Sequence, residues 1–482
     1  VTVNIFWFRN DLRLGDNPGL AAALARAEKT ALVYVLDDNA AGPWAMGGAS
    51  RWWLHHSLHS LGQAIAARGA KFILRRGDAG AIIPELAAKL KVSEVHAGRR
   101  FEPWARAQDR AVAEKLKTAG IDLHRHLTTY LFAPERITTK SGGIYGVYTP
   151  FARSCFEQPP PAEAIAAPAQ ISSPSGIGSD KLDDWELLPR QPDWAAGLRA
   201  TWEPGEAGAA RRLAHFVRHR MRDYKSARDI PGEDATSGLS PHLHFGEISP
   251  AEVWREAVGS AQAGQGLEVF LKELLWREFA GYLLWHHRDM PEQPLRPEFS
   301  AMPWREDRKS LTAWQRGLTG IPIVDAGMRQ LWQTGWMHNR IRMVCASFLT
   351  KHLLIPWQAG EAWFWDTLVD ADLASNAISW QWVAGCGADA APYFRIFNPV
   401  LQGQKFDAGG AYVRKFVPEL GRLPDKFIHA PWEADAQVLA AADVKLGQNY
   451  PQPIISLTRG RERALAAFKQ ISGMRAAGLQ DA

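Results

Sequence analysis

The chain has 482 residues, 46% hydrophobic and 22% charged, ordinary globular usage that excludes a disordered, collagen-like or coiled-coil protein. At about 150 residues per domain this length makes two large domains or three ordinary ones. Lys+Arg 56 against Asp+Glu 51 leaves a net charge of +5, compatible with a polyanionic partner without requiring one.

In chain order, residues 1–130 alternate strand and helix. VNIFWF (3–8) is a short apolar run, and Asn17 followed by Pro18 reads as an N-cap with proline at the first helical position. Strands are expected over 31–37, 71–77, 93–98 and 121–126, with helices over 50–69, 81–90 and 103–120 between them. Such alternation predicts a parallel, doubly wound sheet covered on both faces. No GxGxxG follows the first strand and there is no P-loop, so the common nucleotide fingerprints are absent. Residues 131–199 read as an interdomain linker: QPPPAEAIAAPAQISSPSGIGSD is rich in Pro, Ser and Gly, and LDDWELLPRQPDW is acidic. Residues 200–482 read as an all-α domain, with amphipathic segments at 205–223, 249–260, 265–287, 322–333 and 338–353.

Three cysteines (Cys155, Cys345, Cys386) are too few for a disulfide framework, which points to a reducing, cytoplasmic setting. The opening VTVNIFWFRNDLR carries charges too early for a secretory signal, and no apolar run reaches about 18 residues, so no membrane span is expected. The abnormal number is 21 tryptophans, eleven of them between Trp276 and Trp382.

Several constellations could carry chemistry. Arg211, Arg212, Arg218, Arg220, Arg222, Lys225 and Arg228 face one acid, Asp223, as either a solvated helix face or a phosphate-contacting stripe. Thr236, Ser237, Gly238, Leu239 and Ser240 form a small-residue turn able to hold a phosphate or merely to cap a helix. Glu273, Trp276 and Arg277 share one helical face, suited to stacking on and bonding to a base edge, or to an ordinary ion pair. In GWMHNRIRMV, Asn339 and Met343 lie one turn apart, with Arg340 and Arg342 on other faces. Such polar groups, if buried, need partners. In 370–399, Asp370 and Asp372 precede Asn376 and Trp380 among small residues that leave room against the backbone. There is no GxSxG, HExxH or CxxC, and His55, His56 and His59 on one helix read as a surface or interdomain group, not a metal site.

Taken in order, WFRNDLRLGDNPGL, TSGLSPHLHFGEIS, ELLWREF, GIPIVDAGMRQLWQTGWMHNRIRM and NPVLQGQKFD resemble the photolyase/cryptochrome flavoproteins over nearly the whole chain, most nearly a bacterial photolyase of cyclobutane pyrimidine dimers (CPDs), class I or III. The resemblance implies FAD held in the helical domain. Tyr224 and Thr236 to Ser240 match the phosphate side, Asp370, Asp372 and Asn376 surround the isoalloxazine, and Arg342 pairs with the first aspartate. It implies that Glu273, Trp276, Asn339, Met343 and Trp382 line the pocket for a flipped-out dimer, with Trp276 and Asn339 also touching the cofactor. Arg228, Arg277, Arg340 and Arg395 match DNA-backbone contacts, and Trp380, Trp357 and Trp304 match an electron wire to the surface. Asn339 and Met343 stand where (6-4) photolyases carry histidines, Asn376 where plant-type cryptochromes carry Asp, and QWVAGCGADAAPYFR differs from the DASH type. Ala377-Ile378-Ser379 replaces the Asn-Gly-Gly of the commonest class I pattern. Folate-antenna enzymes place a carboxylate at the position of Ala105, so methenyltetrahydrofolate (MTHF) binds differently here, or another antenna or none is used. The implied partner is UV-damaged DNA and the expected state a monomer. The alternative is a blue-light photoreceptor of the cryptochrome kind on the same scaffold. The short tail after RERALAAFKQI is not what a sensor with a long extension is expected to show.

Overall fold

In the computed structural model the described residues are 1–261, 264–390 and 394–478. They form two compact units: 1–225 with 236–288 and 369–374, and 226–235 with 289–368 and 375–482.

The first unit is built on five parallel strands, β1 (Val3–Phe8), β2 (Lys29–Leu36), β3 (Phe72–Arg76), β4 (Glu94–Gly98) and β5 (Asp122–His126), in the order β3-β2-β1-β4-β5. Ile5 sits opposite Ala31 on one side and Val95 on the other. The expected doubly wound parallel sheet is therefore present. The crossovers are α1 (Pro18–Ala25), α2 (Gly48–Ala66), α3 (Ala79–Leu90) and α4 (Pro103–Thr118). Asn17 caps α1 by accepting from the Leu20 amide at 3.1 Å, and Pro18 sits at the first turn as expected. Val3, Ile5 and Trp7 alternate onto one sheet face, where Ile83 and Leu86 of α3 and Val112 and Leu116 of α4 cover them. On the other face Asn4 donates to the Ala23 carbonyl of α1. An added Cβ at Gly19 would lie 2.9 Å from the Phe6 ring, so that glycine sets the approach of α1.

Within 131–199, expected as a connector, residues 177–180 run along the edge strand β3. Asp180 N–H donates to Leu74 O, Ser179 Oγ accepts from Leu74 N–H, and Lys71 Nζ donates to Ile177 O. The Ile177 side chain enters the sheet core. An edge strand leaves backbone groups unpaired on one side, and this Pro/Ser/Gly-rich stretch satisfies some of them. The unit continues with α5 (Tyr148–Phe156), α6 (Ala196–Thr201), α7 (Glu206–His219), α8 (Tyr224–Ala227, whose end passes into the second unit), α9 (Ser240–His244), α10 (Pro250–Gly259) and α11 (Gly266–His286).

The second unit is helical: α12 (Arg308–Gln315), α13 (Pro322–Thr334), α14 (Asn339–Ser347), α15 (Trp357–Thr367), most of α16 (Leu373–Ala384), α17 (Pro399–Phe406), α18 (Ala411–Phe416), α19 (Ala436–Ala441) and α20 (Leu457–Gly478). The segment 338–353, expected as one helix, is α-helical only to Ser347; residues 348–352 widen into a π turn. There the fully buried Lys351 ammonium donates to the Ala384 carbonyl at 2.6 Å and lies 3.2 Å above the Phe394 ring, and burial pushes its pKa well down. All three cysteines are free and buried. No helix among the described residues is long and apolar enough to cross a membrane.

Candidate functional site

In the first unit, Gly238 adopts φ +61°, and a Cβ there would meet the Arg212 guanidinium at 2.4 Å. The 236–240 turn thus needs glycine for both reasons. Thr236 and Ser237 are half-buried and Ser240 is exposed at the start of α9. Leu239 is buried in the core formed by Phe216, Tyr224 and Phe270, so its side chain anchors the turn and only its backbone could face a ligand. The Tyr224 ring is likewise buried, edge-on to both phenylalanines. Ser240 Oγ donates to Asp370 Oδ2 at 2.5 Å, and His244 Nδ1 lies 3.7 Å from Asp372. The turn hydroxyls and the two aspartates expected around a flavin nucleotide are therefore gathered in one place. Hydroxyls and amide N–H groups can donate to the phosphates of FAD, and the carboxylates can accept from N–H and O–H groups on its other polar edges.

On α11, Glu273 and Trp276 are half-buried. Arg277 departs from the expected DNA contact. Its guanidinium donates to the Thr129 carbonyl at 2.5 Å and the Leu243 carbonyl at 3.3 Å, and lies 4.6 Å above the Tyr130 ring. Next to it, the buried Glu278 accepts from the Leu131 and Phe132 amides. Burial pushes its carboxyl up to about 7 against the pull of Arg277. These two residues hold the 129–132 segment.

In the second unit, Asn339 opens α14 and is exposed, with Met343 half-buried one turn on. The polar patch is thus partly open. Arg340 pairs with Asp229 at 2.9 Å and lies 4.6 Å over the Phe406 ring. Arg342 donates through Nε to the Met337 carbonyl at 2.7 Å, while Arg228 is half-buried and Arg395 exposed. Asn376 Nδ2 donates to the Glu361 carbonyl at 3.1 Å. A carbonyl can only accept, so the amide orientation is fixed and Oδ1 is the atom presented elsewhere. Trp382 donates to the Asp389 carbonyl at 3.1 Å. Residues 391–393 of the segment compared with the DASH type lie outside the described residues.

Trp380 and Trp357 are buried and Trp304 is half-buried. Trp380 is wedged edge-on against Phe364 (5.0 Å) and Trp314 (6.1 Å). Sequence reasoning missed Gly360, whose missing side chain makes room for the Trp380 ring, and Glu361, fully buried, with its carboxyl pushed well above the usual range by burial beside Glu292. A glycine three residues after Trp357 was the available signal for the first; the second gave none. It also missed Asp229 as the partner of Arg340.

Of the histidines read as a surface or interdomain group, His55 is buried, His56 half-buried and His59 exposed, and burial depresses His55 and His56, the latter to about 4. Among the described residues no group of His, Cys, Asp and Glu could hold a metal. Ala105 is fully buried on α4, so the folate-carboxylate position is an inward-facing alanine.

Comparison with known proteins agrees with this reading. Residues 4–169 match the family described as DNA photolyase, and residues 270–470 the FAD binding domain of DNA photolyase. A deoxyribodipyrimidine photo-lyase of Agrobacterium fabrum is 48% identical over 470 residues, covering 97% of this chain and 98% of the relative. Cryptochrome-1 of Arabidopsis thaliana is 36% identical over 490 residues, covering 98% of this chain and 71% of the relative. The crystal structure of a class III photolyase from Agrobacterium tumefaciens superposes with a TM-score of 0.95 at 48% identity, covering 98% of both chains. A flavin-binding helical region joined to a parallel α/β unit defines the class, and this chain belongs to the photolyase/cryptochrome family.

Proposed function

We infer that this chain repairs cyclobutane pyrimidine dimers in UV-damaged DNA as a light-dependent, FAD-containing deoxyribodipyrimidine photo-lyase. The observation that carries the reading is 48% identity to a photo-lyase over essentially the whole of both chains, together with the residues described above. When bound and reduced, FAD would supply the light-excited electron that repair of the dimer needs. The chain's own residues bind, orient and exclude water. In the first unit the 236–240 turn offers hydroxyl and amide donors to phosphates, and Tyr224 backs it. Asp370, steadied by Ser240, and Asp372, near His244, offer carboxylates to a flavin edge. In the second unit Asn376, its amide fixed by the Glu361 carbonyl, would offer Oδ1 as an acceptor to a bound reduced flavin, and Arg342 is held by the Met337 carbonyl.

In the first unit Glu273 bonds a pyrimidine edge and Trp276 replaces lost base stacking, and Trp276 also touches the cofactor. In the second unit Trp382 offers a stacking surface, Asn339 and Met343 contact the dimer, and Asn339 also touches the cofactor. A flipped base costs unstacking, and each aromatic platform returns roughly 1–3 kcal/mol. Arg228, Arg340 and Arg395 contact the backbone, whereas Arg277 steadies the 129–132 segment. Trp380, Trp357 and Trp304 relay electrons during photoreduction. Residues 1–130 form the α/β part, 131–199 the connector and 200–482 the part that binds FAD and DNA, in a cytoplasmic monomer. An antenna such as MTHF would have to be held without the carboxylate that Ala105 lacks.

The test is illumination of purified, reduced protein with an oligonucleotide containing one thymine dimer. Loss of the dimer under blue light but not in the dark is expected. Intact dimers after illumination, with FAD bound, would favour the photoreceptor reading.

A further inference from the structure

Trp276 has a partner that the functional residues do not include. Tyr148, the first residue of α5, lies flat against it, with ring centroids 3.7 Å apart and planes within 5°. Tyr148 is 8% exposed, and its hydroxyl donates at 2.7 Å to the Lys272 carbonyl, one turn before Trp276 on α11. Phe279 meets both rings edge-on, at 5.9 Å from Trp276 and 6.0 Å from Tyr148, and Phe151 backs Phe279 at 5.0 Å. Left to themselves, aromatic pairs prefer offset or T-shaped arrangements to a face-to-face sandwich. A nearly parallel pair at this separation is held by its surroundings: the hydroxyl tether fixes one ring to the helix that carries the other, and Phe279 closes the side. Trp276 is nevertheless only half-buried, so the indole surface that reaches solvent is what Tyr148 leaves uncovered.

We propose that Tyr148 is a positioning residue for lesion recognition: a buried backing plate that fixes the tilt of Trp276 and leaves one indole face for the flipped pyrimidine dimer. The proposal rests on the reading of Trp276 as a dimer contact. A free tryptophan side chain would lose rotamer freedom on each binding event, and pre-ordering removes that cost. The benefit falls on damaged DNA, because an unflipped duplex presents no base to Trp276.

The experiment measures dissociation constants of the FAD-loaded protein for a thymine-dimer oligonucleotide and for the same undamaged duplex. Tyr148→Leu is expected to weaken dimer binding by about two- to tenfold, the range of a lost aromatic pair, with undamaged binding and flavin content unchanged. Tyr148→Phe, which keeps the plate and loses the tether, should recover most of the discrimination. Should Tyr148→Leu fold poorly, Tyr148→Met fills the same space without a flat face and is read in its place. An unchanged ratio of damaged to undamaged affinity in the Leu or Met variant overturns the proposal. Trp276→Ala is measured alongside. If it too keeps full discrimination, the role given to Trp276 has failed; if it loses discrimination while the Tyr148 variants do not, only the backing-plate proposal has.

Discussion

Glu278 shows how a side chain next to the proposed pocket residues works through its protonation state. Its carboxyl is buried, accepts two backbone amides and is pushed up to about 7, whereas in the unfolded chain it titrates near the usual carboxylate value. Between those two values the folded protein holds a proton that the unfolded chain has released, so this residue's contribution to stability falls as pH rises from about 4.5 to about 7 and is level beyond. Glu278→Gln keeps an acceptor for the amides and removes the titration. Thermal melts from pH 5 to 8 should show the variant gaining on the parent by roughly 2 kcal/mol across that window. Parallel curves would mean that the native carboxyl is ionised throughout. Arg277 belongs to the same small structure: adjacent in sequence to Trp276, it faces inward to carbonyls. Sequence spacing placed Glu273, Trp276 and Arg277 together on α11 but could not show where each head group ends, because that depends on the 129–132 segment almost 150 residues away.

Among the elements, α15 and α16 illustrate how a helix pair places a redox side chain. α15 carries Trp357 and, one turn later, Gly360. A methyl group on Gly360 would sit 2.1 Å from Cη2 of Trp380 and 2.7 Å from Cδ2 of Leu349. Both are packed side chains that can move only by leaving their rotamers. Gly360→Ala is therefore expected to cost about 1–3 kcal/mol and to displace the Trp380 ring. Calorimetry should show a melting temperature lower by a few degrees. Photoreduction of the bound flavin should slow severalfold, while repair by chemically reduced enzyme is retained. A lower melting temperature with an unchanged photoreduction rate would remove Trp380 from the route. The strands and the caps of α1 were legible from alternation and from Asn17-Pro18, because those signals are local. The break of 338–353 after Ser347 was not, because it follows from Lys351 reaching a carbonyl on α16.

For the whole molecule, the net charge of +5 is small, so affinity for DNA depends on which cations lie at the surface. Arg395 is exposed, as are Arg218, Arg220, Arg222 and Lys225 in the basic stretch, whereas Arg277 donates to backbone carbonyls. Each phosphate neutralised contributes about −0.9 to the slope of log affinity against log salt. Arg395→Ala should reduce the magnitude of that slope by about 1 for damaged and undamaged duplexes alike. Arg277→Ala should leave the slope nearly unchanged and lower the melting temperature instead. Equal slope changes in the two variants would return Arg277 to the DNA surface.

By itself the sequence determined the parallel α/β and helical parts and the family, since periodicity, caps and long ordered blocks are carried by residues close together in the chain. It also supplied the candidate set from Tyr224 to Arg395. Only the tertiary structure decided which of those residues are open and which are engaged. Asn339 is exposed, Leu239 and Tyr224 are in the core, and Arg277 faces inward. Tyr148 lies flat on Trp276 across 128 positions of sequence. The physical reason is that burial and hydrogen-bond partnership are settled between segments distant in sequence, where no spacing rule records which side chain meets which.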